Sequence, residues 1–543
     1  MIKKILALLT VIAVITCLFS SCSDGTGEDL YYPIYADPVS FDPQIAADNA
    51  SKIVVFNCFE GLVKTDKNGK IVPGVAKSWQ VSPDGLTYTF YLRENSKWYM
   101  SEYAKKLLSE ESAENFNYTV IAEDFVYGLR RAFMKEMSST ADSRLYVIKN
   151  APEVYSGEKS PEELGVFAIN STTLKIELSQ PDENFISALT QSAAMPCREE
   201  FFHATKGRYG LDPEKVIYNG PFYLYSWSTG SHLTLFRNEN YSGENTVKPG
   251  AVYLYINNNL TTRTDKLSDG VYSACPVSVR QKALIENEKI TYIGYENSTW
   301  GFFFNCSGEL TGDYNLRSAL ASSLDVTLLP LPSHCEKYAA GIVPEICTVG
   351  NKTYRSVAGN TTPFPVNNKA AVKSLEQAFV NLETNNIKLN IVCHENFENI
   401  VQIAVQNWQS ILGVHVNFTI QPLDDISLER KIRNKDFDIA FTGITATDES
   451  ALSFLKKFSA SAPSDLFGFN SKNFDLLLGL SSNASSQYEN AESCKLAEQH
   501  LTDMCVVIPV FSESSYLALA EKVTDIYSIE AGTIPIFIDG LKK

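Results

Sequence analysis

Cys22 is the residue whose surroundings most plainly announce chemistry. It follows Ser20-Ser21 and precedes Ser23-Asp24-Gly25, and ahead of it lie Lys3, Lys4 and an apolar run from Ile5 to Phe19. A positive start, an apolar stretch of roughly fifteen residues and small residues before the cut are what a secretory peptidase reads, and such a run is too short to span a bilayer. A cysteine at the cut adds a covalent step: its thiol takes a diacylglyceryl group, and the leader, residues 1–21, is cleaved off just before it. The lipid then holds the protein outside the cell, because each buried methylene contributes about 0.8 kcal/mol and two or three acyl chains anchor durably. The other reading is an ordinary signal peptide or an N-terminal membrane anchor, since Phe19 stands where leucine is usual and Cys17 lies inside the apolar run.

Catalytic chemistry is not spelled out. No GxSxG, HExxH or GxxxxGK[ST] string occurs, and His394-Glu395 starts a zincin-like pattern without the second histidine it needs. The histidines at 203, 232, 334, 394, 415 and 500 are scattered, so neither a metal site nor a cofactor is expected, and no catalytic residue is assigned. Eleven cysteines, less Cys17 and Cys22, leave nine, an odd number without CxxC or CxxH spacing. Cys335 and Cys347 close a short loop and could bridge, while buried free thiols acting as small hydrophobes suit most of the nine. Lacking a phosphate-cradling loop, the chain needs a partner for any work driven by ATP.

The elements that must position these residues belong to a globular protein. At 543 residues, 44 % hydrophobic and with 30 Phe and 27 Tyr, the chain has material for two or three domains and many rings for a binding cleft. A net charge of −16, which loss of Lys3 and Lys4 takes to −18, repels nucleic acid. Residues 22–31 read as a flexible polar tether, with structure beginning near Tyr32. Asp66-Lys67-Asn68-Gly69 and Ser82-Pro83-Asp84-Gly85 are turns between extended stretches, and Thr87 to Leu92 alternates as a strand. Further on, Ile387–Cys393 reads as a strand, Phe397–Leu412 as a helix capped by Gly413, and Val414–Ile420 as a strand. Asp425–Ile432 is helical in spacing and Asp438–Phe441 strand-like, so this half predicts a βαβ unit in a mostly buried sheet.

The string FNCFEGLVKTDKNGKIVPGVAKSWQVSPDGLTYTFYLRENSKW resembles the start of the small domain in the extracytoplasmic solute-binding proteins, family 5, which serve oligopeptide and dipeptide ABC importers. The resemblance continues through Ala122–Tyr127, Asn219–Tyr223, Arg237–Tyr241, Asn315–Leu320 and the apolar run Val506–Phe511, and so covers essentially the whole mature chain. It implies an α/β fold of the periplasmic-binding-protein type II clamshell kind: two lobes with mixed sheets and an extra small subdomain in the first. By that likeness the first lobe takes 32–56, 199–278 and 501–543, the small subdomain 57–198 and the second lobe 279–500. It also implies binding rather than catalysis: a small solute, an oligopeptide first of all, is trapped between the lobes and handed to an ABC permease with its ATPase subunits. The chain then works as a monomer on the outer face of the cell membrane or the periplasmic side. An oligosaccharide, a chelated metal or another small solute is the alternative cargo, and a lipid-anchored surface enzyme or adhesin the remote one.

Site residues follow from the same likeness. Asp37 and Val39, just before Ser40-Phe41-Asp42-Pro43, correspond to a first-lobe strand lining the cleft. Ser298 to Asn305 resembles the crossover strand into the second lobe, where alternation puts Trp300 and Phe302 on one face, as pocket wall or as core, and Asn305 closes the run. Phe441, Gly443, Thr445, Thr447 and Asp448 fall where peptide importers carry an aspartate for the ligand's α-ammonium. Anchored on Gly443 and Ser453-Phe454-Leu455, that position is Thr447, with Asp448 one residue later and Ile444 where an aromatic residue is common. A lost charge-assisted contact weakens a peptide by about 1.5 to 3 kcal/mol. The chain also departs from the family in a Ser-, Glu- and Lys-rich insertion between Trp98 and Ala122 and in Asp269-Gly270-Val271-Tyr272.

Overall fold

The computed structural model describes residues 27–134, 137, 144–182, 185–243, 246–332, 335, 337–350, 352–361, 366–446, 448–460, 466–482, 484 and 486–542. Cys22 and the leader, His334 and Thr447 therefore lie outside the described residues. Among those described, no helix is long and apolar enough to cross a membrane.

Alternation builds the first-lobe sheet. Leu30, Tyr32, Leu254, Leu233, Leu235 and Leu224 are buried on one face of four strands in the order Leu30–Ile34, Ala251–Ile256, His232–Arg237 and Phe222–Ser228. The first pair is parallel and the others antiparallel. Pairing begins earlier than the tether expected over 22–31, because the Gly27 N–H donates to the Lys248 carbonyl at 2.9 Å and Leu30 is already fully buried.

A second, antiparallel sheet has the order Ala76–Val81, Thr87–Leu92, Thr173–Glu177 and Val166–Asn170. The two polar turns fall where their residue types place them. Asp66 Oδ1 accepts from the Asn68 and Lys70 N–H groups, and Gly69, at φ +74°, supplies the left-handed step that closes the hairpin Val63–Thr65 to Ile71–Pro73. The apolar faces of both sheets pack into one continuous core, which makes the smaller sheet an outgrowth of the first lobe.

The third sheet joins the lobes. Its order is Ala274–Ser278, Val507–Leu519, Thr291–Phe304, Ile439–Thr445, Ile387–His394 and Val416–Leu423. The expected βαβ unit is here: Ile387–His394 runs parallel to both Val416–Leu423 and Ile439–Thr445, with helices Glu398–Leu412 and Asp425–Arg433 as connections. Gly413 ends the first of these at φ +78°, and Trp408, fully buried, donates its indole N–H to the Leu320 carbonyl at 2.9 Å.

The two long strands, Thr291–Phe304 and Val507–Leu519, pair antiparallel almost end to end, but the ladder slips between Tyr295 and Ser298 and again between Trp300 and Gly301. Such irregularities bend and twist a strand pair. Core membership changes across them. Leu517, Ala518 and Leu519 belong to the first-lobe core, whereas Phe302, Phe304, Ile508 and Phe511 fill one face of the second lobe and Phe303 and Val507 the other. The junction between the lobes is therefore built into the shared strands. None of the nine described cysteines is in a disulfide, so the bridge considered between Cys335 and Cys347 is not formed; Cys347 is packed in the second-lobe core.

Candidate functional site

Between the lobes lies a cleft of about 1270 Å³. One wall comes from the small subdomain and first lobe through the hairpin Lys64–Val72, Glu60 and Tyr241. The other comes from second-lobe loops carrying Thr348–Gly350 and Asp448–Ser450, and Tyr527 and Glu530 of the C-terminal segment line it as well.

Each wall is held by buried polar work. On the first-lobe side Glu60, 4 % exposed, accepts from Lys64 Nζ at 2.7 Å and the Tyr241 hydroxyl at 2.5 Å and pairs with Arg93. Behind the second-lobe lip, Glu498 has no exposure at all. It accepts the Ile342 and Val343 N–H groups at 2.7 and 2.9 Å and the Tyr354 hydroxyl at 3.0 Å, and it pairs with Arg355. A buried carboxylate so fully compensated fixes the segment that delivers Thr348–Gly350. The Thr348 N–H and hydroxyl both donate to the Glu449 carbonyl, at 2.6 and 2.9 Å, which fastens the two lip loops together.

The lip is also the acidic pole of the cleft. Asp448 Oδ1 accepts the Ser450 N–H at 2.7 Å, and Glu449 and Glu530 stand beside it. Burial raises the Glu449 carboxyl above its ordinary value, and the Glu530 and Asp448 charges add to this against Arg144. Burial likewise raises Glu530, with Asp448 adding, although Lys52 Nζ lies 3.1 Å away. Burial lowers the Lys457 ammonium against the pull of Asp448; its Nζ donates to the Thr445 carbonyl at 2.6 Å. Like charges crowded out of water favour a cation arriving among them.

Of the residues singled out in the sequence, Asp448 is the one that lines the cleft among the described residues. Asp37 instead accepts the Trp227 indole N–H at 2.7 Å and the Gly230 N–H at 3.0 Å, tying down an end of the first-lobe sheet. Val39 is 77 % exposed and its N–H donates to Ser51 Oγ. Phe302 and Phe441 are core, not wall: both have no exposure and their rings meet at 4.7 Å, with Trp408 5.1 Å from Phe302. Alternation chose the face correctly, but helices Tyr314–Ser323 and Glu398–Leu412 cover that face. Trp300, half-buried, stacks on Phe511 at 5.9 Å and lies flat over Gly443, where a Cβ would come within 2.6 Å of the indole. Asn305 is a turn residue whose amide donates to the Lys435 and Phe437 carbonyls. Thr445 Oγ1 meets Ser298 Oγ at 2.8 Å beside the slip in the ladder.

Glu60, Tyr241, Glu449 and Glu530 went unassigned. Glu60 and Tyr241 sit inside the very strings that carried the resemblance, and a charged residue flanked by Phe59 and Gly61 was the available signal.

Comparison with known proteins agrees with this architecture. Residues 70–465 match the family model described as bacterial extracellular solute-binding proteins, family 5 Middle. The oligopeptide-binding protein OppA of Bacillus subtilis is 24 % identical over 94 % of both chains, and a dipeptide-binding protein of Lactococcus lactis is 23 % identical over 96 % of both. Among solved structures, Listeria monocytogenes OppA bound to peptide superposes with a TM-score of 0.71 at 23 % identity, covering 95 % of this chain and 99 % of that one. With the family match spanning well over half of its length, the chain belongs to the bacterial extracellular solute-binding proteins, family 5.

Proposed function

We propose that this protein captures oligopeptides in the inter-lobe cleft and delivers them to an ABC import permease whose ATPase subunits supply the energy. The observation that carries this is the cleft itself: about 1270 Å³ between two lobes that share hinged strands, with carboxylates gathered at one end. Pockets for drug-sized molecules run to about 300–1000 Å³, so the space favours a chain of several residues over a single small solute. An extended peptide offers backbone donors and acceptors along its length and an α-ammonium at one end. The first suit strand-like pairing, and the second suits Asp448, Glu449 and Glu530. In this reading Asp448 takes up the role left open at Thr447, and a neutral glycan could hydrogen-bond to the acidic pole but would bring no charge to balance it.

Closure about the slipped ladder brings the walls together, excludes water and strengthens every polar contact inside. The reading includes a lipid at Cys22, a monomer, and the division into small subdomain 57–198 and second lobe 279–500. Native mass spectrometry of gently purified protein tests it, with co-purified peptide masses expected. Ligand at a hundred times its Kd adds about 2.7 kcal/mol to stability, so a peptide pool should raise the melting temperature by several degrees. Absence of both signals, together with a shift from oligosaccharides, would overturn the peptide assignment.

A further inference from the structure

We propose that the tyrosine-rich outer face of the first-lobe sheet lies against the phospholipid surface to which the chain is tied. The inner face of this sheet is core, but its outer face carries Tyr31, Tyr253, Tyr255, His232, Phe236 and Tyr225. These rings stack on one another: Tyr31 on Tyr253 at 5.2 Å, His232 on Tyr255 at 5.8 Å, Tyr225 on Phe236 at 4.6 Å. Tyr225 is 61 % exposed and the others are half-buried by their mutual packing. Lys542 reaches over the Tyr31 ring at 5.7 Å. Rings with one apolar and one polar end, next to a long amine, are the side chains that settle at a membrane–water boundary.

Chain length selects the occupant. Gly27 is pinned by the Lys248 carbonyl and by its pairing with Pro249, and it lies against Leu541. Only four residues separate it from Cys22, so the five steps of the tether reach at most about 18 Å at 3.3–3.6 Å per residue. Tyr31 follows Gly27 by four residues, about 13 Å along a strand. The aromatic face is thus the part of the described fold that the anchor carries to the bilayer. Glu28 and Asp29 at the same edge oppose anionic headgroups, which makes zwitterionic lipid the partner that fits. This inference rests on lipidation at Cys22.

The test uses the full lipidated chain in phosphatidylcholine vesicles, with an environment-sensitive dye on Tyr253→Cys and, separately, on Tyr488→Cys, which is 78 % exposed on the second lobe. The unsubstituted chain, labelled alike, gives the background from Cys306 and Cys335. Emission from position 253 should move to the blue and be roughly halved by spin-labelled lipid, with position 488 unaffected. Protein that co-sediments with vesicles but shows no change at 253 would leave the anchor standing and refute the docked face. Failure to co-sediment would remove the anchor and this inference together, and a shift that needs added cell-wall glycan rather than lipid would also overturn it. Tyr31→Ser with Tyr255→Ser should speed release from vesicles severalfold in protein that still melts cooperatively; an unchanged release rate speaks against the contact.

Discussion

The two walls of the cleft treat a carboxylate in opposite ways. On the first-lobe wall, Glu60 is met by Lys64, Tyr241 and Arg93, so its charge is spent inside the protein. On the facing lip, Asp448, Glu449 and Glu530 crowd together, and burial with mutual repulsion raises Glu449 and Glu530 from their ordinary value in spite of Arg144 and Lys52. The first arrangement holds the wall in shape. The second sets carboxylates against one another out of water, a strain that a ligand's cation can relieve. Buried acids thus divide into framework and site by whether their partners already balance them.

Breaking the balanced side should have the largest effect. Glu60→Ala strands Arg93 and the Tyr241 hydroxyl in the wall and should cost about 3–5 kcal/mol, read as a lower urea midpoint at an unchanged slope. Removing charge from the lip should spare stability and strike binding. Glu449→Gln is expected to weaken a peptide with a free N-terminus by about 10- to 100-fold in calorimetry and to leave its N-acetylated form nearly unaffected. Equal losses for both peptides would show that the lip does not hold the ammonium.

Acidity sharpens the contrast further. A carboxyl raised in the folded state keeps protons that the unfolded chain releases. The contribution of Glu449 and Glu530 to stability is therefore full below the ordinary value of 4.5 and falls as pH rises through their higher folded values. Peptide binding should run the other way, tightening severalfold across that window and releasing protons, seen as a binding enthalpy that depends on the buffer. An enthalpy indifferent to buffer would count against a cation at this pole. The smallest effect is expected from Tyr241→Phe, which removes one of the partners of Glu60 and should cost about 1 kcal/mol by thermal melting, with little change in affinity.

Sequence and site differ in how far each could be read. The βαβ region was legible because its apolar residues keep helix and strand period from Ile387 to Leu423, and the turns at Asp66 and Ser82 were legible from residue type. Strand alternation put Trp300 and Phe302 on one face, yet nothing local in that strand says that helices from elsewhere cover it. The cleft was harder still, since its charges come from segments far apart in the chain. Glu530 reaches the pole from a stretch where Glu530, Ala531 and Gly532 all have positive φ, a conformation with no periodic signature. Asp448 was found only because a motif anchored it from both sides.

The shared strands also decide how this molecule can be dissected. A fragment spanning the second lobe alone would lose Val507–Glu513 and present the edge of Ser298–Phe303 bare, with its N–H and C=O groups open to any passing chain. Such an edge is a template for aggregation. Production of the isolated piece would require a grafted strand, spliced after Asp503, to seal it.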